Sequence, residues 1–393
     1  MYSSIENLDE EYLGCKQKEI LLHPRSAIEV YARNLKIDLL ANEKNKYYVC
    51  TGSDCEFLSF YQTASCRCGN HLGFDVNLSH SISPDEGVFV KSTARFMITD
   101  DLRVLPLSTM TGLSMLGDIE TIDGIEERTL HIGEAEVVKL LKCSLTSNTP
   151  LSDALLEPSI NKTIGAFRRV NYGPRITHQS PRDKSTTSTS SEVKFKLIIH
   201  KPKNRVLYAE VEENFVNVLC SFFAIPIGYV FKEYPCLSFK GCMGNLYKTI
   251  LNPDIEKFFK SEEMKETLVN PKLAPGLTFV NKLTGIEEAE EPSLDTVRSI
   301  FSVNFTVAGE AEDGDGFLKG PSMFMVTENL SIAPLSPISG ISLINRLKIP
   351  PSDIREMEMI MGEEEALLLL AASIASKFPL TDAFLRKEPK QET

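Results

Sequence analysis

Four cysteines, Cys50, Cys55, Cys66 and Cys68, fall within 19 residues in the pattern Cys-x4-Cys-x10-Cys-x-Cys. Four thiolates this close along a chain could hold a Zn²⁺ ion tetrahedrally, each sulfur at about 2.3 Å. Tyr47–Val49 reads as a strand entering the first pair, and Gly69 could open the turn after the second. The spacing is not the Cys-x2-Cys of zinc ribbons, and a Cys-x-Cys pair chelates under more strain; His71 could replace one ligand. Two readings stand side by side: one structural zinc, or another soft metal, and redox-labile or unligated thiols. In the metal reading the site is structural, because four protein ligands leave no open position for a substrate. The ion would order an insert too polar to fold alone.

Other chemistry is thinner. Asp313-Gly-Asp-Gly316 is acidic and glycine-rich but lacks the ligand spacing of a calcium loop. Glu287, Glu288, Glu290 and Glu291 read as a solvated patch. Ser108 and Ser336 each sit between Pro-Leu and a helical pattern; no base accompanies them, and helix N-capping explains both. Six scattered histidines, and no Gly-x-Ser-x-Gly, His-Glu-x-x-His or phosphate-loop pattern, leave no catalytic signature. Nine cysteines without a signal-like apolar run argue against a disulfide framework. Cys143 and Cys220 fall inside apolar helical patterns and read as inert thiols. A net charge of −12 over 393 residues disfavours nucleic-acid binding by the whole molecule. The longest apolar run, Ala366–Ala372, reads as a buried helix rather than a membrane span. These features place the chain in the cytosol or nucleus.

The elements that must position these residues repeat. Phe89–Leu116 laid over Phe317–Ile344 gives 11 identities in 28 positions, against roughly two expected by chance. The match resumes after one inserted residue, Gly133-Glu134 on Gly362-Glu363 and Leu151-Ser-Asp-Ala154 on Leu380-Thr-Asp-Ala383. Earlier, Tyr2-Ser-Ser-Ile-Glu-Asn7 resembles Tyr247-Lys-Thr-Ile-Leu-Asn252. The organisation expected is a first copy over 1–157 carrying the cysteine insert, a basic Ser/Thr-rich linker over 158–192, a fuller second copy over 193–386, and a polar tail over 387–393. The first copy lacks an opening hairpin and helix; the second lacks the cysteines. The linker carries a local balance of +4 and reads as disordered.

Period-2 alternation predicts strands at Lys194–His200 and Val206–Val211, and Phe215, Val218, Leu219 and Phe222 then mark an amphipathic helix. Met323–Thr327 and Leu330–Ala333 predict a second hairpin, with Ser336 capping a helix that Pro337 opens and Ile338, Ile341 and Ile344 stripe. Met357, Met359 and Met361 predict a strand, and Glu363–Glu365 open the last long helix at its positive end. The fold class is α+β: two diverged copies of hairpin-then-helix elements, an antiparallel or mixed sheet with helices packed on one face.

Lys196-Leu-Ile-Ile and Arg205-Val-Leu-Tyr-Ala-Glu210, Gly244-Asn-Leu-Tyr247, Tyr47-Tyr-Val-Cys50 and Phe96-Met-Ile-Thr-Asp-Asp-Leu102 with Pro106-Leu-Ser108 resemble a plant protein family known as domain of unknown function 674. The resemblance covers nearly the whole chain outside the linker. It implies a plant source and a duplicated unit, and it carries no activity, fold or ligand with it. The favoured function is therefore a non-enzymatic intracellular interaction or scaffold protein with a protein partner and no small-molecule substrate. The alternatives are a zinc-stabilised module that binds a macromolecule, and an enzyme of unrecognised class with a cleft between the copies.

Overall fold

A computed structural model describes residues 1–29, 46–61, 72–80, 88–108, 126–156, 192–234, 241–274, 284–289, 301–307 and 317–385, less a few positions inside these spans, together with Cys68, Asn70 and Gly112. In the first half, helices α1 (Tyr2–Glu6) and α2 (Cys15–Leu22) precede strands β1 (Lys46–Cys50), β2 (Leu58–Ser59) and β3 (Leu72–His80). Strands β4 (Phe96–Ile98) and β5 (Val104–Pro106) and helices α3 (Glu134–Thr146) and α4 (Pro150–Leu155) follow. The second half opens with β6 (Val193–His200), β7 (Arg205–Glu212), α5 (Glu213–Ser221) and α6 (Ile227–Glu233). Then come α7 (Met243–Ile250), α8 (Pro253–Glu256), α9 (Glu262–Val269) and β8 (Phe301–Val307). It closes with β9 (Met323–Thr327), β10 (Ile332–Pro334), α10 (Pro337–Leu347), β11 (Ile354–Met361), α11 (Glu363–Ala375) and α12 (Pro379–Phe384). The fold is α+β, and all its strand pairs are antiparallel.

The sequence alternation sets the main sheet, ordered β10-β9-β7-β6-β11. Phe195, Leu197 and Ile199 turn one way and are buried, while Lys194 is exposed on the other side. The rings of Phe195, Phe215 and Phe384 lock β6, α5 and α12 together, with centroids 4.7 and 4.9 Å from Phe195. In α11 every residue from Ala366 to Ala372 is buried, and the carboxylate of Glu365 accepts the Gly362 N–H at its start. One expectation needs correction, because helices flank both faces of this sheet. Ile198, Leu207, Tyr208 and Met325 form a second, smaller cluster against Leu343 and Ile344 of α10. Gly340 permits that approach: a Cβ there would sit 2.8 Å from Tyr208 Oη. Of the α10 isoleucines only Ile344 packs, since Ile338 and Ile341 are exposed. Ser336 caps α10 as its sequence predicts, accepting the Ser339 N–H at 3.3 Å.

The turns of hairpins β4–β5 and β9–β10 share one backbone hydrogen-bond pattern. Leu102 and Leu330 both adopt φ 59°, a left-handed conformation that a branched residue takes only when its surroundings enforce it. Thr99 N–H donates to Arg103 O at 3.0 Å, as Thr327 N–H does to Ser331 O. The helices that follow match too. Helices α3 and α11 each span 13 residues behind a glycine cap, and α4 and α12 each span six residues of which the first is a proline. A carboxylate from each hairpin turn reaches the first turn of the short helix. Asp100 accepts Ser152 N–H at 2.9 Å and its hydroxyl at 2.7 Å; Glu328 accepts Thr381 N–H at 3.0 Å and its hydroxyl at 2.8 Å. Each anion thus sits at the positive end of a helix, where free amides face outward.

The outer edge of each hairpin is closed by the other half of the chain. Ser4 of α1 accepts Ile332 N–H at 3.0 Å, and Thr249 of α7 accepts Val104 N–H at 3.1 Å. Tyr12 stacks edge-on against Phe324 at 5.6 Å, and Phe258 does the same against Phe96 at 5.3 Å. Isolated antiparallel bridges join Leu13 to Leu318 and Val90 to Phe259. These contacts run in both directions across the division between 1–157 and 193–386. A third crossing is the pairing of β3 with β8 inside the sheet ordered β2-β1-β3-β8.

The two hairpins differ in what lies beside them. β9 pairs with both β10 and β7, whereas β4 pairs with β5 alone among the described strands. Among the described strands β11 is held only by β6, and residues 126–133, which stand at the corresponding place before α3, form no regular structure. Residues 158–191 of the expected linker and the tail 387–393 lie outside the described residues.

Candidate metal centre

β1 ends at Cys50, and the chain turns sharply there. Cys50 N–H donates to Phe57 O at 3.0 Å and Cys55 N–H to Gly52 O at 3.2 Å, which folds the first Cys-x4-Cys loop back on itself. Gly52 is tightly held: a Cβ there would lie 2.9 Å from Asn70 Nδ2 and 3.3 Å from Cys55 Cβ. The loop therefore closes around a glycine, which has no side chain to obstruct it. Cys68 arrives from the far side, bringing its Sγ to 3.4 Å from Cys50 Sγ.

The sulfurs of Cys50, Cys55 and Cys68 all lie within 4.8 Å of one another. A separation of 3.4 Å is far beyond a disulfide bond of about 2.05 Å. It lies close to the ligand–ligand edge of a tetrahedral zinc thiolate site, about 3.8 Å for Zn–S bonds of about 2.3 Å. Two sulfurs already accept N–H groups: Gly52 N–H on Cys50 at 3.3 Å and Asn70 Nδ2 on Cys68 at 3.5 Å. Such donors stabilise thiolate character and orient it, the usual service of groups behind a metal ligand. Cys50 is buried, Cys55 half-buried and Cys68 exposed, so the cluster opens toward solvent on one side. The donor set fits a thiophilic ion. The predicted fourth ligand Cys66, and its substitute His71, lie outside the described residues.

The strands that carry the cluster are anchored by a charge pair invisible to motif reading. Arg25 contacts the carboxylate of Glu29 through Nε and Nη2, both at 2.5 Å, and Glu29 is almost wholly buried. The guanidinium lies 5.2 Å from the Phe60 ring and 5.6 Å from Tyr47, the latter on β1. The backbone N–H of Arg25 donates to Tyr61 Oη at 3.0 Å. Only the i,i+4 spacing of opposite charges could have pointed to it.

Burial raises Cys220 to about 12, and Cys242 is raised by burial and then by Asp101 and Asp100, so neither is a ready nucleophile. Burial raises Glu328 to about 7, opposed by its two bonds from Thr381 and by Arg205. That carboxylate caps α12. An open depression of about 350 Å³ lies between β5 and α7, lined by Arg103, Val104, Leu105, Asn245, Lys248, Thr249 and Asn252. Its lining holds no carboxylate, histidine or cysteine, and the Thr249 hydroxyl donates to Asn245 O at 2.9 Å while accepting Val104 N–H at 3.1 Å. Ser336 spends its hydroxyl on the Ser339 amide, and the Ser108 carbonyl accepts Gly112 N–H. Among the described residues no helix is long and apolar enough to cross a membrane.

No curated protein and no solved structure matches the chain. The sequence family described as a protein of unknown function (DUF674) matches residues 1–364, and the chain belongs to that family.

Proposed function

We propose that this chain is a non-enzymatic interaction protein of the cytoplasm, made of two diverged copies of one unit and stabilised by a structural zinc ion at Cys50, Cys55 and Cys68. The observation that carries the zinc reading is the convergence of three sulfurs within 4.8 Å around a loop already closed on a glycine. Cys66 supplies the fourth ligand, which closes the coordination sphere and keeps the ion out of catalysis. Support for duplication comes from the shared φ of Leu102 and Leu330, the paired carboxylate caps and the reciprocal contacts of Ser4 and Thr249. Support for an interaction role comes from the large apolar side chains left exposed on the first half, among them Ile98, Leu130, Val138 and Leu141.

Two measurements test this. Elemental analysis of the purified chain is expected to find one zinc per molecule, lost in Cys50→Ser, with a lower melting temperature after chelation. No zinc and unchanged melting would remove the metal reading. The interaction role predicts a specific protein recovered by affinity capture from the source tissue and identified by mass spectrometry; a chain that recovers none, yet turns over a small molecule, is an enzyme instead.

A further inference from the structure

We propose that Cys68 and Cys50 form a reversible oxidation site: hydrogen peroxide joins the two sulfurs in a disulfide and, by taking both ligands away, opens the metal centre. The loss of the ion rests on the zinc reading above; the bridge rests on the sulfur geometry alone.

The two sulfurs are already in contact at 3.4 Å. Closing that gap to a bond of about 2.05 Å is a movement of roughly 1.4 Å. They come from separate pieces of chain. Cys50 ends β1, its N–H held by Phe57 O at 3.0 Å, and Cys68 lies 18 residues further on. Their surroundings give them different parts. Cys68 is exposed, so a small peroxide reaches its sulfur from solvent. Cys50 is only 3% exposed, which shields it from the oxidant and leaves it against Cys68. An exposed thiol beside a second, resolving thiol is the arrangement in which oxidation stops at a disulfide instead of climbing to sulfinic acid. Asn70 Nδ2 on Cys68 and Gly52 N–H on Cys50 hold the two sulfurs in place.

In the first step the Cys68 thiolate attacks one peroxide oxygen. An S–O bond forms, the O–O bond breaks, and hydroxide leaves with the electron pair and takes up a proton. In the second step the Cys50 thiolate attacks the sulfenic sulfur of Cys68. The S–S bond forms, the S–O bond breaks, and a second hydroxide leaves and takes up a proton. Two electrons pass from the sulfur pair to the peroxide, which ends as two waters. A dithiol reductant reverses the bridge by thiol–disulfide exchange and is itself left as a disulfide. With Cys50 and Cys68 joined, Cys55 and Cys66 are what remains of the four thiolates, too few to close a tetrahedron. Transient bridges of this kind are the use that a reducing compartment makes of disulfides.

The test exposes the full, zinc-loaded chain to a few equivalents of hydrogen peroxide. Thiols are mapped by differential alkylation and peptide mass spectrometry, and released zinc is read with a colorimetric chelator. The expected result is a Cys50–Cys68 bridge, zinc appearing in step with it, and recovery of both thiols on adding dithiothreitol. Cys220 and Cys242, both buried, are expected to stay reduced throughout. Cys50→Ser is expected to leave Cys68 as a sulfenic acid that dimedone traps, whereas Cys68→Ser leaves no adduct on Cys50. Thiols that all stay reduced overturn the proposal. So does a dominant bridge to Cys55 or Cys66, or sulfinic acid at Cys68 with no bridge. These outcomes are read on the parent chain, so a variant that fails to fold decides nothing. Zinc that is bound and then retained, with no bridge, removes this inference and leaves the metal reading standing. A bridge formed in a chain that never held zinc removes the metal reading and leaves the thiol pair.

Discussion

Helices α3 and α11 have the same length, the same glycine cap with a glutamate closing it, and the same short helix behind them. One is buried from Ala366 to Ala372; in the other only Ser144 is buried. Local sequence therefore decides that a helix forms and where it starts, through the cap and the acidic first turn. It does not decide whether the helix is a core element. That is settled by what packs on it: α11 lies against α6, α12 and β11 within the main core cluster, whereas the neighbour described for α3 is α4. The same contrast governs the strands, since β11 forms against β6 while 126–133 stays irregular. Stability in the first half must come from elsewhere, and α7, α8 and the closing contacts of Thr249 and Phe258 are where it is visible.

The comparison breaks most sharply at matched leucines. Leu370→Ala is expected to cost about 2–5 kcal/mol, as a large-to-small change in a filled core. Leu141→Ala, at the same helical position but half exposed, is expected to stay within about 0.5 kcal/mol of the parent. Urea unfolding of both variants checks it. Equal costs would mean that α3 is covered in solution, and that the difference between the halves is not one of burial.

Next in size is Glu328. Its carboxyl is raised from 4.5 to about 7, chiefly by burial. Between those two values the folded chain keeps a proton that the unfolded chain has released. Stability contributed by this group therefore falls as pH rises from 4.5 to about 7, and is flat on either side. Glu328→Gln removes the titration while keeping an oxygen for Thr381. The variant is expected to gain on the parent by about 1–3 kcal/mol between pH 5 and pH 8, read as a difference in melting free energy. A gap that does not change with pH would show that the carboxylate is fully compensated by Thr381 and Arg205.

Much of this was legible before any coordinates. The alternation of Phe195, Leu197 and Ile199, the Ser336-Pro337 cap and the apolar run Ala366–Ala372 each encode their own local outcome. The thiol cluster was legible too, with Cys50, Cys55 and Cys68 brought together as their spacing suggested. What could not be read is which surface meets which. Periodicity says that a residue faces a core but not whose core, so the placement of α10 on the far face of the sheet, and the exposure of Ile338 and Ile341, escaped it. The Arg25–Glu29 pair was hidden for a related reason: a charge pair at helical spacing usually lies at the surface, and only the closing of Tyr47, Phe60 and Tyr61 over it reveals its burial. The crossing of the halves at Leu13 with Leu318, and Val90 with Phe259, joins residues far apart in the chain and leaves no periodic trace.

That crossing gives the smallest but most discriminating effect. Ser4 and Thr249 each satisfy one edge amide, of Ile332 and Val104 respectively, at 3.0 and 3.1 Å. Ser4→Ala and Thr249→Val each remove an acceptor from a partly buried N–H, at an expected cost of about 1 kcal/mol. If the halves clasp one another reciprocally, the two single costs are similar, and both variants speed amide exchange in the hairpin of the opposite half: β10 for Ser4→Ala, β5 for Thr249→Val. If each half folded on its own, Ser4→Ala would instead loosen only its neighbours in the first half, leaving Ile332 protected. Exchange at Ile332 and Val104 separates the two outcomes, because each amide lies in one half and its acceptor in the other.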